Sequence, residues 1–104
     1  MDTITRFEAS VESGNGRKFS QIFVTRVEAE DFAVEMHQRY SAGSPSLVTI
    51  TRLVFVDNSQ EITRLDFEAR HCPAGMLAMC LQAIRFLSDE RAEEDEVVET
   101  YTLE

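Results

Sequence analysis

Between Met76 and Leu87 only Gln82 and Arg85 are polar, and no other stretch restricts the fold so tightly. A helix lying on one face of a sheet needs a single apolar stripe with polar residues opposite. Read as a helix begun by Pro73 and running to about Ser88, this segment has two. Leu77, Cys80, Leu81, Ile84 and Leu87 form a stripe that a sheet would cover, while Met76, Met79, Ala83 and Phe86 form another on a neighbouring face. Burying a methylene is worth about 0.8 kcal/mol, so a second stripe left in water is a substantial loss. One resolution is that another helix and the C-terminal segment cover it. The sharper one is that a second chain does, most simply an identical chain on a two-fold axis. Methionine suits such a surface, because its unbranched, polarizable side chain adapts to its neighbour.

The rest of the chain is read from its changes of period. Residues 3–12 alternate, with Phe7, Ala9 and Val11 on one side, which predicts a half-buried strand. Asn15-Gly16 then signals a hairpin. A second strand follows over Phe19–Arg26, with Phe19 and Phe23 on one face and Ile22 and Val24 on the other. From about Glu28 to Tyr40 the spacing of Ala29, Phe32, Ala33, Met36 and Tyr40 is helical, and Gly43 and Pro45 stop the helix. Leu47–Val56 is apolar on both faces and strongly β-prone. After a turn at Asp57-Asn58-Ser59, Ile62–Arg70 alternates and predicts a strand with Leu65, Phe67 and Ala69 inward. Glu96–Leu103 alternates again and predicts a last strand, against the competing reading of a disordered tail.

The expected fold is therefore one α+β domain over residues 1–104, an antiparallel sheet with two helices on one face. The element order is ββαββα(β), ferredoxin-like or a similar two-layer sandwich. At 104 residues the chain fits a single domain with a modest core that needs no disulfide or metal.

Charge is unevenly placed. The net charge is −9, but residues 89–104 hold eight acids against Arg91 alone, so the body is nearly neutral and the end is acidic. Such a balance argues against a free-standing nucleic-acid binder, which needs clustered Lys and Arg. The stretch His71–Ile84, free of charge, is too short to span a bilayer. No leader is visible after Met1, and Cys72 and Cys80 make no secreted framework, so a cytoplasmic setting is expected.

Few residues suggest chemistry. Cys72, placed at the N-terminus of the second helix, would have its thiolate favoured there, but a capping or buried cysteine is the plainer reading. His71, Cys72, Met76, Met79 and Cys80 are soft ligands that fit ordinary packing equally well, and no zinc spacing occurs. The Gly-containing loop Ser13–Lys18 lacks the phosphate-loop pattern. Asp66 and Glu68, alternating with Arg64 and Arg70, read as cross-strand ion pairs, and His37 as solvated. No cofactor and no metal are expected.

These features favour a non-enzymatic protein-interaction module. Its partner surface would comprise Met76, Met79, Ala83 and Phe86 with the acids Glu93, Glu94, Asp95 and Glu96. The partner would be a second copy or a protein with a basic surface, steered by the acidic end. Small acidic proteins that block nucleic-acid-handling machinery, phage-encoded inhibitors among them, share this general character, although no motif identifies a family. The alternatives are a small-molecule module or thiol enzyme using Cys72, and an accessory subunit of a larger complex.

Overall fold

The structure is a computed structural model that describes residues 2–104. It is an α+β chain with strands β1 (Thr3–Ser13) and β2 (Lys18–Phe23), helix α1 (Arg26–Tyr40) and strand β3 (Ser46–Val56). Helices α2 (Ser59–His71) and α3 (Ala74–Ser88) and strand β4 (Glu96–Leu103) complete it. The four strands form one antiparallel sheet in the order β2-β1-β3-β4. The start of β1 lies beside the end of β3: Gly14 N–H donates to the Pro45 carbonyl at one end (2.8 Å) and Asp57 N–H to the Asp2 carbonyl at the other (2.9 Å).

Two compact units emerge from the packing. One holds Thr5–Val54 with Glu93–Glu104, and the other holds the chain start up to Ile4 with Phe55–Ala92. In the first, α1 lies on the sheet. Its Ala29 and Ala33 are fully buried with Ala9 and Val11 of β1 and Val48 and Ile50 of β3, and Phe7, Phe23, Phe32, Met36, Val98, Tyr101 and Leu103 pack around them. Phe7, Ala9 and Val11 of β1 and Phe19 and Phe23 of β2 are buried or half-buried, while Ile22 and Val24 stand exposed. The second strand ends at Phe23 rather than Arg26, which already belongs to α1.

Local chemistry explains the boundaries. Thr25 caps α1: its hydroxyl oxygen accepts from Glu28 N–H (3.2 Å) and its O–H donates to Glu28 Oε1 (2.9 Å). The side chain of Thr25 thus caps the first turn, and the helix starts two residues before the apolar spacing does. The hairpin turn closes with Gly16 N–H on the Ser13 carbonyl (2.9 Å), and only Gly16 takes a positive φ there, 90°. That is a type I turn followed by a left-handed residue rather than the two-residue turn that Asn-Gly suggests. Asn15 is thereby free to donate from its side-chain amide to the Tyr40 carbonyl (2.9 Å), satisfying an orphan at the end of α1.

Two expectations are corrected. Residues 62–70 form no strand; they belong to α2, so the order is ββαβααβ and the ferredoxin-like arrangement with two helices does not apply. Ile62, Leu65, Ala69 and Cys72 recur at spacings of three, four and three and are the half-buried residues of this segment, leaving Phe67 outside. The charges fit a helix as well: Arg64 pairs with Glu61 and Glu68, and Arg70 with Asp66 (3.1 Å), three or four residues apart, so no cross-strand pairing of Asp66 or Glu68 exists. His37 is also not simply solvated. It is half-buried, with Nδ1 2.7 Å from the hydroxyl of fully buried Ser46. The last strand lies at Glu96–Leu103, as its alternation suggests, and the disordered-tail reading falls.

Two substitutions test this core. Removing the cap with Thr25→Ala should cost about 1 kcal/mol. Ile50→Ala, at a fully buried position, should cost roughly 2–5 kcal/mol. Chemical denaturation of the variants measures both, and equal losses would contradict the burial described.

Candidate functional site

Helices α2 and α3 pack on each other as a helical hairpin whose turn is Cys72-Pro73. Its open end is tied by the Asn58 side-chain amide, which donates to the Leu87 carbonyl (2.9 Å) in the last turn of α3. Beside it, Val56 N–H donates to the Glu90 carbonyl (3.0 Å), and the Arg91 guanidinium lies over the Phe55 ring at 4.3 Å. The start of α2 is held by Asp57, whose carboxylate accepts from the Ser59 amide (3.0 Å) and hydroxyl. These bonds keep the Asp57 carboxyl below its usual range, and Arg64 does the same for Glu61.

Neither helix contains a buried residue. On α3, Cys80, Ala83, Ile84 and Leu87 are half-buried, so one line of side chains has partial cover. Either flank of that line is open. Met79 and Phe86, two turns apart, are 67% and 72% exposed; Leu77 and Leu81 stand on the other flank, Met76 at the first turn, and Phe67 on α2, all exposed. Thus Leu77 and Leu81, expected to be covered by the sheet, are not, and the uncovered apolar set is larger than sequence alone suggested. Phe67 was hidden from sequence reasoning by the strand assignment, although the three–four–three spacing around it leaves it off the packed stripe.

Of the expected partner-binding residues, Met79, Ala83 and Phe86 come together with Glu61, Leu65, Gln82 and Leu87 to line one open groove of about 520 Å³. Met76 is exposed but does not line it. A second groove, next to Phe86, is lined by Gln82, Arg85, Ser88, Asp89 and Glu90. Glu93, Glu94, Asp95 and Glu96 belong to the other compact unit and line neither groove. All four are exposed, but Glu96 pairs with Arg52 of the neighbouring strand (2.9 Å), and farther along β4 Glu99 pairs with Arg26. Among the described residues Glu93 and Glu94 form no ion pair.

The residues that hinted at chemistry are placed otherwise than expected. Cys72 ends α2, with its thiol directed at the Ala69 carbonyl (3.5 Å), and Pro73, not Cys72, is the N-cap of α3. His71 lies against Phe67, its helical neighbour one turn back, with the rings tilted at 48° and their centroids 4.4 Å apart. The Cys80 thiol is pushed up by burial and then by the neighbouring Cys72, which leaves less thiolate at neutral pH. Ser46 and His37 have the spacing of an activated hydroxyl, yet Ser46 is fully buried, so its oxygen faces no open space. Among the described residues no group of three His, Cys, Asp or Glu side chains could hold a metal ion, and no helix is long and apolar enough to cross a membrane.

Two measurements check this electrostatic picture. Because Asp57 and Glu61 titrate low in the folded chain, their contribution to the start of α2 is present at neutral pH and is lost as pH falls through those lowered values. The amide resonances of residues 59–63 should therefore hold steady as the pH is lowered through the ordinary carboxylate range and move only below it. Iodoacetamide should label Cys80 slowly at pH 7 and faster only as the pH rises well above it; rapid labelling at pH 7 would contradict the raised thiol. Compared with known proteins, the chain matches no family model, no curated protein and no solved structure.

Proposed function

We propose that this chain is a non-enzymatic protein-interaction module that docks another polypeptide through the open flanks of the α2–α3 hairpin. The supporting observation is that six large apolar side chains, Phe67, Met76, Leu77, Met79, Leu81 and Phe86, are between 40% and 72% exposed on two helices that have no fully buried residue. Isolated apolar residues on a surface need no explanation, but a set this dense on one supersecondary unit marks a contact site. Affinity comes from covering that surface. The acids of the C-terminal segment, with Glu93 and Glu94 unpaired, supply a field that draws a basic surface and raises its rate of encounter.

The thiol-enzyme alternative draws no support from Cys72, which ends α2 one residue before the N-cap of α3 with its thiol directed at the Ala69 carbonyl, or from Cys80, which is held towards its neutral form. A subunit without any site of its own would make the same contacts and differs only in what the assembly does.

Capture of partners from extract of the native host tests the reading, using immobilised full-length chain. Phe86→Asp and Met79→Asp should each abolish retention of the partner without changing the circular dichroism spectrum. Where the captured protein is basic, Glu93→Gln with Glu94→Gln should slow its association and weaken the salt dependence while leaving dissociation nearly unchanged. Retention indifferent to the hairpin substitutions would overturn the assignment of the docking face.

A further inference from the structure

We propose that the polypeptide covering the α2–α3 hairpin is a second copy of this chain, two hairpins meeting about a two-fold axis as a four-helix bundle. This rests on the reading of the hairpin as a docking face and names its occupant.

Charge separates the candidates. The chain as a whole is −9, so two copies repel over most approaches. Residues 59–88 are the exception: Glu61, Asp66 and Glu68 are balanced by Arg64, Arg70 and Arg85. Arg64 and Arg70 are moreover neutralised locally by Glu61, Glu68 and Asp66, so α2 offers little field of its own. A strongly basic partner finds no attraction on such a surface, whereas a second copy meets no repulsion there. The groove beside Phe86 contains both signs, Arg85 with Asp89 and Glu90. A patch bearing both charges can complement itself under two-fold symmetry, in which the same residues serve both sides.

The amount of apolar surface points the same way. With an exposed aromatic side chain presenting on the order of 150–200 Å² and Met and Leu only slightly less, the six side chains at their observed exposures expose about 600 Å². One side of a standard protein interface takes about 800 Å², so the hairpin and its rim suffice for a stable dimer. The shape matters too. Apolar residues flank α3 on both sides, Met79 and Phe86 on one and Leu77 and Leu81 on the other, and a single peptide helix laid in one groove would cover only one of them. A second hairpin presents two helices at once, which is how bundles enclose such flanks. The acidic segment of β4 then stays available to a basic protein.

Light scattering of purified full-length chain tests the proposal. The expected mass at about 100 µM is twice the 11.8 kDa of one chain. It should persist at about 1 M salt, where the Debye length of ~3 Å screens charge attraction. Phe86→Asp and Met79→Asp, both at exposed positions and hence compatible with folding, should halve the mass, and the milder Phe86→Ser serves if either fails to fold. Glu93→Gln with Glu94→Gln should leave the dimer intact. A wild-type chain that stays monomeric, or a dimer indifferent to all the hairpin substitutions, would overturn the second-copy assignment. The two readings fail separately: a monomer whose capture of other proteins still depends on Phe86 removes only this inference, and a monomer whose capture ignores Phe86 removes the docking face as well.

Discussion

The approach of α1 to the two central strands is set by alanine. Ala29 and Ala33 on the helix and Ala9 on β1 are all fully buried, so the helix can lie close over β1 and β3 with little between backbones but methyl groups, Val11, Val48 and Ile50. Close packing of this kind tolerates little change in volume, and it fixes where the bulky residues go. Phe7, Phe23, Phe32, Met36 and Tyr101 are displaced to the margin of the cluster, where they are half-buried. The caps follow from that placement: Thr25 begins the helix where the sheet ends, and Asn15 and Ser46 meet its last turn and its His37. No comparable centre exists in α2 and α3, whose contact uses half-buried side chains only.

What sequence could reveal differed between these two regions for a physical reason. Strands β1, β2 and β4 and helix α1 have a dry face and a wet face, so their periods of 2 or 3.6 are written clearly in the residues, down to the ends of β4. In α2 the packed stripe Ile62, Leu65, Ala69 and Cys72 does recur at helical spacing, but Leu65, Phe67 and Ala69 at the same time imitate the alternation of a strand. The discriminating signal was ionic rather than apolar. Glu61, Arg64 and Glu68, then Asp66 and Arg70, are spaced for one helical turn, and the pairs they form exist only if the backbone is helical. For α3 the excess of apolar residues was legible, whereas the exposure of Leu77 and Leu81 was not, because it depends on what does not cover them.

Segregation of charge gives the two regions different surface characters. The hairpin of α2 and α3 is balanced and its ion pairs are internal, while the segment from Asp89 onward is acidic. Of that acidity, Glu96 and Glu99 are spent on Arg52 and Arg26, and exposed pairs of this sort contribute little to stability. Their effect is on register and orientation: Arg52 lies directly across from Glu96 in the pairing of β3 with β4. Asp89 pairs with Arg91 (2.8 Å), and Glu93 and Glu94, which form no ion pair among the described residues, shape the field seen by an approaching molecule rather than the fold.

The sheet also has two open margins, β2 and β4, each with backbone donors and acceptors facing outward. Such rims are templates for unwanted pairing with further strands, and proteins guard them with charge. β4 itself carries no basic residue; its Glu96 and Glu99 are occupied by Arg52 and Arg26, and the negative guard stands just before it, at Glu93 and Glu94. Laid rim to rim, two such strands would set carboxylate against carboxylate. The growth of sheet upon sheet that an exposed Val97 would invite is opposed by the negative charge gathered at the start of the last strand.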